Sequence, residues 1–238
     1  VDYTAVITGG NKGIGADLAQ AMLQRGWQVV SLARHKGEAE GVEHVICDLS
    51  DPDAVASTAA ELAARHQVTH FVHNAGIILP NLIEDATPQD MQVLTQLHLG
   101  AALTLTQAFL PAMKAQRFGR VLFNASRAAL GARTRTAYSA SKAGMIGMAR
   151  TWALELAEHG ITVNVVAPGP ILTDNFWGIV PKDSPQQQDL AQRIPVGRLG
   201  TVADVTRAFM FLADPEAGFI TGQTLFVCGG ASIGTVPI

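Results

Sequence analysis

The chain has 238 residues, 48% of them apolar and 16% charged, with a formal net charge of −3. That length allows one large α/β domain or two small ones around a sizeable core, and the mild acidity argues against nucleic acid or an anionic membrane as the main partner. Cys47 and Cys228 are the only cysteines, far apart and without metal-type spacing, so free thiols in a reducing cytoplasm and no metal site are expected. We read no leader peptide, membrane-length apolar run or lipidation motif in the sequence.

Apolar runs of strand length alternate with helical patterns from end to end. Thr4–Thr8, Gln28–Ala33, His44–Cys47, Thr69–His73, Arg120–Asn124, Thr162–Val166 and Thr224–Val227 read as strands, and several lack the polar alternation of a half-exposed sheet. Helical spacing marks segments near Ile14–Gln24, Asp53–Arg65, Pro88–Lys114, Tyr138–His159 and Val202–Ala213. This order predicts a single doubly wound (Rossmann-type) α/β domain with a mostly parallel sheet and right-handed crossovers. Pro168 through Pro185 is the one long irregular, proline-rich stretch. It marks a substrate loop around residues 170–195.

Two short motifs carry chemistry. Thr8-Gly9-Gly10-Asn11-Lys12-Gly13-Ile14-Gly15 follows the first strand and opens the first helix. Glycines there permit positive φ and close approach of phosphates, which the free N–H groups and dipole of a helix N-terminus favour. In Tyr138-Ser139-Ala140-Ser141-Lys142, residues four apart share a helix face, so Lys142 stands beside Tyr138. An ammonium there favours phenolate and draws the tyrosine toward neutral pH. Ser126 lies just past the strand Arg120–Asn124, where active-site groups of open α/β sheets gather, and its hydroxyl suits the oxygen of a carbonyl or alcohol.

These pieces, with Cys47-Asp48-Leu49, Asn74-Ala75-Gly76 and Asn164 through Thr173, resemble the short-chain dehydrogenase/reductase family, of the three-oxoacyl reductase-like type, over nearly the whole chain. The resemblance implies an NADP(H)-dependent oxidoreductase moving a hydride between the nicotinamide and a carbonyl/secondary-alcohol pair. It assigns the cofactor turn to Gly9, Asn11, Lys12, Gly13, Ile14 and Gly15, the adenine edge to Asp48 and Leu49, and the cofactor strand to Asn74, Ala75 and Gly76. Pro168, Gly169, Ile171 and Thr173 would hold the nicotinamide half. Ser126 would orient the substrate oxygen, Tyr138 would give or take its proton, and Lys142 would bind the ribose and lower the tyrosine's pKa. Taken singly, Asn74 also reads as a turn residue and Asp48 as a helix cap. A homotetramer through Pro88–Lys114 and Tyr138–His159 is implied as well.

Two departures stand out. Where relatives usually carry an asparagine that supports a proton-relay water, this chain has His98, which either joins a relay, with an unperturbed pKa near 6.5, or is a tolerated packing change. The ending Cys228-Gly229-Gly230 replaces a common Asp-Gly-Gly. At the end of the second strand, Ala33 takes the place of the acid that NAD-preferring relatives use, and Arg34 and Lys12 are set to flank a 2′-phosphate, which points to NADP rather than NAD. Phe176, Trp177, Ile179 and Val180 suggest a small-molecule substrate with an apolar body, while Arg127, Arg133 and Arg135 either meet an anionic group or are solvated. A cofactor-binding regulator with little turnover is the rival reading, and isomerisation or diol oxidation a third.

Overall fold

The computed structural model describes residues 2–178 and 180–233. Among the described residues seven strands form one all-parallel sheet: β1 (Thr4–Thr8), β2 (Gln28–Ala33), β3 (Val42–Ile46), β4 (His70–His73), β5 (Gly119–Asn124), β6 (Ile161–Pro168) and β7 (Thr224–Val227), in the order β3-β2-β1-β4-β5-β6-β7. The third strand lies slightly earlier than the His44–Cys47 read from sequence, because its register is set by pairing Val29 with Val42.

Side chains of successive residues point to opposite faces, and each face has its own core. Val6, Phe71, Val121 and Phe123 pack with α2 (Pro52–Arg65), α4 (Ala101–Gln116) and α5 (Thr136–Leu156) through Leu62, Leu105, Phe109 and Met145. Ile7, Val72, Leu122 and Val166 pack with α1 (Gly13–Gln24) and α8 (Val202–Ala213) through Leu18, Met22, Phe209 and Leu212. Both faces of the central strands are thus covered, which is why their sequences run apolar without alternation.

The helix expected over Pro88–Lys114 is interrupted. It comprises α3 (Pro88–Thr95), a π turn at Gln96–Gly100 and α4. At the π turn the Ala101 N–H reaches back to Gln96 O rather than Leu97 O, and the Leu97 carbonyl instead lies 3.1 Å from His73 Nε2. Contrary to the sequence reading, the whole run Pro88–Gln116 is long and apolar enough by length and composition to cross a membrane. Here its apolar residues Leu105, Phe109 and Met113 are buried against the sheet. The stretch read as irregular also holds structure: α6 (Asp174–Trp177), and α7 (Pro185–Gln192), which begins on its last proline with Ser184 as cap.

From β1 the chain winds outward to β3 and then returns to β4, so the winding reverses between β1 and β4. The carboxyl ends of these two strands are where open α/β sheets bind ligands. One end carries the turn that starts at Gly9, the other Asn74-Ala75-Gly76.

Candidate active site

A cleft of about 490 Å³ opens at that reversal. Gly9 and Gly13 have left-handed backbones, φ 65° and 54°, which side-chain-bearing residues rarely adopt. Lys12 caps α1 without a side-chain hydrogen bond, and the first turn holds no acidic residue, so the positive helix end faces the cleft uncompensated. A methyl on Gly13 would lie 3.7 Å from the Thr173 methyl. The glycine turn and the β6 loop therefore face each other across the place where a pyrophosphate would sit. These features fit a dinucleotide.

The turn is braced from behind. Asn74 Nδ2 donates to Thr8 O at 3.0 Å and Gly9 O at 3.2 Å, while Asn74 Oδ1 accepts from Asn124 Nδ2 at 2.8 Å. The Thr8 hydroxyl accepts the N–H groups of Asn74 and Ala75, both at 3.0 Å. Its own hydrogen goes to His73 Nδ1 at 3.1 Å, because His73 Nε2 must carry a hydrogen to donate to the Leu97 carbonyl. Burial and the nearby Lys142 push His73 down to about 3, so it stays neutral.

Of the expected cofactor residues, Gly9, Asn11, Lys12, Gly13, Ile14, Arg34, Asp48, Leu49, Asn74, Ala75, Gly76, Pro168, Gly169, Ile171 and Thr173 line the cleft, as do Ser126, Tyr138 and Lys142. Gly15 does not. It is buried behind the turn, where a Cβ would strike the Gly9 carbonyl oxygen and come 2.6 Å from Asn74 Nδ2. His98 also stands outside the cleft lining, fully buried. Asp48 accepts from Ser50 N and Oγ at 2.9 and 2.7 Å, bonds that together with Arg34 hold its carboxyl below the usual range. The cap of α2 is Asp51 and not Asp48.

At the far end of the cleft, Ser126 Oγ accepts from Ala128 N at 3.1 Å and turns its own hydrogen toward the Tyr138 phenol. Lys142 is buried, with Nζ 2.7 Å from Asn124 O and 5.6 Å from the Tyr138 ring centre. Burial pulls Lys142 down to about 7. The expectation that this lysine draws Tyr138 toward neutrality is not met in this structure. Burial raises the phenol, and the opposing influences are the hydrogen bond to Ser126 and the charge of Arg135. Nor does His98 keep a pKa near 6.5: burial, Lys142 and His73 push it far below the ordinary histidine range.

Arg127 and Arg135 line the cleft with Phe176, whereas Arg133, Trp177 and Val180 are not part of the lining; Ile179 lies outside the described residues. Cys228 takes over an acceptor's task. Burial alone would raise its thiol, but Ser232 Oγ at 3.1 Å and the N–H groups of Ser232, Gly230 and Ala231 outweigh it and lower the thiol. A Cβ on Gly169 would sit 2.9 Å from the Cys228 Cα, so this sulfur-centred turn backs the β6 loop. Thr8 and Ser141 stand in the two motifs read from sequence but without a role of their own there, while His73, Asn124 and His35, which also lines the cleft, carry no signal in the sequence.

The sheet order, the glycine turn at its reversal point and the Ser–Tyr–Lys group define a dinucleotide-binding oxidoreductase. The family model described as enoyl-(acyl carrier protein) reductase matches residues 9–232. The 3-oxoacyl-[acyl-carrier-protein] reductase MabA of Mycobacterium tuberculosis is 37% identical over 98% of this chain and 94% of its own. FabG of Escherichia coli, of the same description, is 33% identical over 95% and 96%. A putative NAD(P)-dependent gluconate 5-dehydrogenase from Beutenbergia cavernae, solved with NADP, superposes with a TM-score of 0.90 at 34% identity, covering 96% of each chain. The chain belongs to the short-chain dehydrogenase/reductase family, in its three-oxoacyl reductase-like group.

Proposed function

We propose that this protein is an NADP(H)-dependent oxidoreductase acting on a carbonyl/secondary-alcohol pair, with Tyr138 as acid/base. The observation that carries it is the convergence of Ser126, Tyr138 and Lys142 at one end of a cleft whose other end is the glycine turn. When bound, the nicotinamide supplies or accepts the hydride. The chain's own residues do the rest. Gly9 through Ile14 bind the pyrophosphate, Arg34 and Lys12 meet the 2′-phosphate, and Ala33 offers it no repulsion. Asp48 and Leu49 face the adenine. Asn74, Ala75 and Gly76 support the cofactor strand, with Gly15 keeping the turn close-packed. Pro168, Gly169, Ile171 and Thr173 hold the nicotinamide half.

In the reductive direction Ser126 donates to the substrate oxygen and Tyr138 passes it a proton. The raised phenol pKa keeps that proton on the tyrosine until the oxygen becomes basic. The ammonium of Lys142 then offsets the phenolate that forms. Phe176 at the cleft supports a substrate with an apolar body. The names of MabA and FabG make a 3-oxoacyl thioester the first to test. We take the chain as one domain with the substrate loop at about 170–195, since the described strands share one sheet. Exposed Leu103 and Leu154, on α4 and α5, support a homotetramer through those helices. The free thiols Cys47 and Cys228 support a cytoplasmic location.

The test is NADPH oxidation by the purified protein with acetoacetyl-CoA. Tyr138→Phe is expected to lower kcat by about 10²–10⁴-fold with NADPH affinity nearly intact, since the ring still packs and only the proton is lost. Near-normal turnover by this variant would remove Tyr138 from the mechanism.

A further inference from the structure

We infer that Arg135 and Arg127 form an anion subsite beside Tyr138, and that the carbonyl compound taken by this cleft carries a carboxylate a few bonds from its reacting carbon. This rests on the reading of Ser126, Tyr138 and Lys142 as the site of hydride transfer, and it narrows the substrate to an oxo acid. The reaction is then oxo acid, NADPH and a proton, delivered by Tyr138, giving hydroxy acid and NADP+.

Both arginines line the cleft, Arg127 next to Ser126 and Arg135 three residues ahead of Tyr138. At that spacing two side chains at a helix start are neighbours, and the charge of Arg135 acts on the phenol. Neither guanidinium has an ion-pair partner among the described residues. The carboxylates that share the cleft lining, Asp48 and Asp174, pair with neither. Arg135 uses Nη1 alone, donating to the Thr134 carbonyl at 3.2 Å and to the Thr134 hydroxyl. Its Nε and Nη2, with no acceptor among the described residues, remain as a side-by-side pair of donors of the kind that binds a carboxylate bidentately.

Local chemistry runs against a cation at this point. Arg135 is the N-cap of α5, a place that favours short acceptor side chains and negative charge. It makes no cap bond, and the first turn of this 21-residue helix holds no acid. Thr134 before it is β-branched yet held at φ 63°, a backbone such residues rarely adopt. Outside ties keep it there: Asn81 N donates to Thr134 O at 3.2 Å, and Asn81 Nδ2 to Asp90 Oδ2 at 3.1 Å. An anion here would meet Arg135, Arg127 and the positive helix end together, and so offset what the empty arrangement costs. A neutral ketone would gain from none of them.

Two anions could answer this charge, a carboxylate of the substrate or the phosphate of a carrier thioester. In a pantetheine thioester the phosphate lies many bonds from the carbonyl, whereas Arg135 acts on the phenol that meets the reacting oxygen. The substrate's own carboxylate is therefore the occupant. Phe176 leaves the rest of its body apolar.

The test compares acetoacetate and 4-oxopentanoate with their methyl esters on the full chain. Binding is read by calorimetry with and without saturating NADP+, where no reduction occurs, and turnover by NADPH oxidation. One acid or both should bind about 10- to 150-fold tighter than the matching ester, with a kcat/KM preference of the same order. Arg135→Gln is expected to bring that acid-over-ester ratio close to one, and Arg127→Gln to reduce it, which keeps the question answerable where the first variant fails to fold. Acid and ester alike in both pairs, or a preference that survives both substitutions, would overturn the inference while leaving hydride transfer in place if both are reduced. Arginine-dependent binding of pantetheine 4′-phosphate without an acid preference would give the site to a carrier phosphate and overturn it as well. Acids that bind through the arginines but are not reduced would leave the subsite standing and remove the oxidoreductase reading instead.

Discussion

At the scale of single residues, selectivity for the cofactor is the sharpest issue. Arg34 is exposed at the rim of the cleft, close enough to Asp48 to lower its carboxyl, and Ala33 beside it offers no acid to repel a phosphate. A charged hydrogen bond contributes about 1.5–3 kcal/mol. Arg34→Ala is therefore expected to weaken NADPH binding about 10- to 150-fold and leave NADH nearly unchanged, as read by fluorescence titration. Combining Ala33→Asp with Arg34→Ala should reverse the preference. Tighter NADH than NADPH binding by the unmutated protein would contradict the assignment. Tyr138, Lys142 and Ser126 were legible because short spacing and one strand end bring them together. His73 and Asn124 were not, because polar residues of these types occur in any chain, and Thr8 and Ser141 stand in the two motifs with nothing to show what they bond. Their importance lies in bonds such as Asn74 to Thr8, 66 residues apart, which only the sheet register creates. The lowering of Tyr138 expected from the sequence is not met for a related reason: helix spacing places Lys142 nearby but says nothing of how deeply the phenol is buried.

At the scale of elements, the brace behind the glycine turn is more telling than the turn itself. Asn74 ties the ends of β1, β4 and β5 together through Thr8, Gly9 and Asn124. Asn74→Ala strands the Thr8 and Gly9 carbonyls and the Asn124 amide, each at about 1–3 kcal/mol when left unsatisfied. It should lower the melting temperature by several degrees and weaken NADPH binding together. Asp51→Ala removes only the cap of α2, costs about 1 kcal/mol, and should leave NADPH binding alone. Equal cofactor affinity in both variants would deny Asn74 its bracing role. Most strands and the long helices were readable from apolar periodicity. The π turn was not, since Gln96, Leu97 and Leu99 are good helix formers and the break is tied to a bond from His73, a residue on another element. The short helices α6 and α7 were hidden by their prolines and polar residues, although Ser184-Pro185 is a cap-and-first-turn pattern.

For the whole molecule, buried neutral histidines set the response to acid. Burial pushes His70 and His73 down to about 3, against about 6.5 in the unfolded chain. Between those values the unfolded chain binds protons that the folded one refuses. Stability is therefore full above pH 6.5 and is lost as pH falls toward 3, by at most about 1.4 kcal/mol per unit per histidine. Lys142 acts in another window: lowered to about 7 when folded, its burial costs most below that pH and is relieved as pH rises toward about 10. A melting profile that stays flat from pH 7 to 4.5 would contradict neutral burial of these rings; a steep acid limb is expected. Binding must also register globally, since NADPH at 100 times its Kd should add about 2.7 kcal/mol to stability. The most direct test follows the hydride. With NADPH deuterated at the transferring carbon of the nicotinamide and a 3-oxoacyl thioester, the alcohol product is expected to carry deuterium on its carbinol carbon, and Tyr138→Phe to form almost none. Product formed without that deuterium, or no product from any ketone tried with either nicotinamide cofactor, would contradict the assignment of this cleft to hydride transfer.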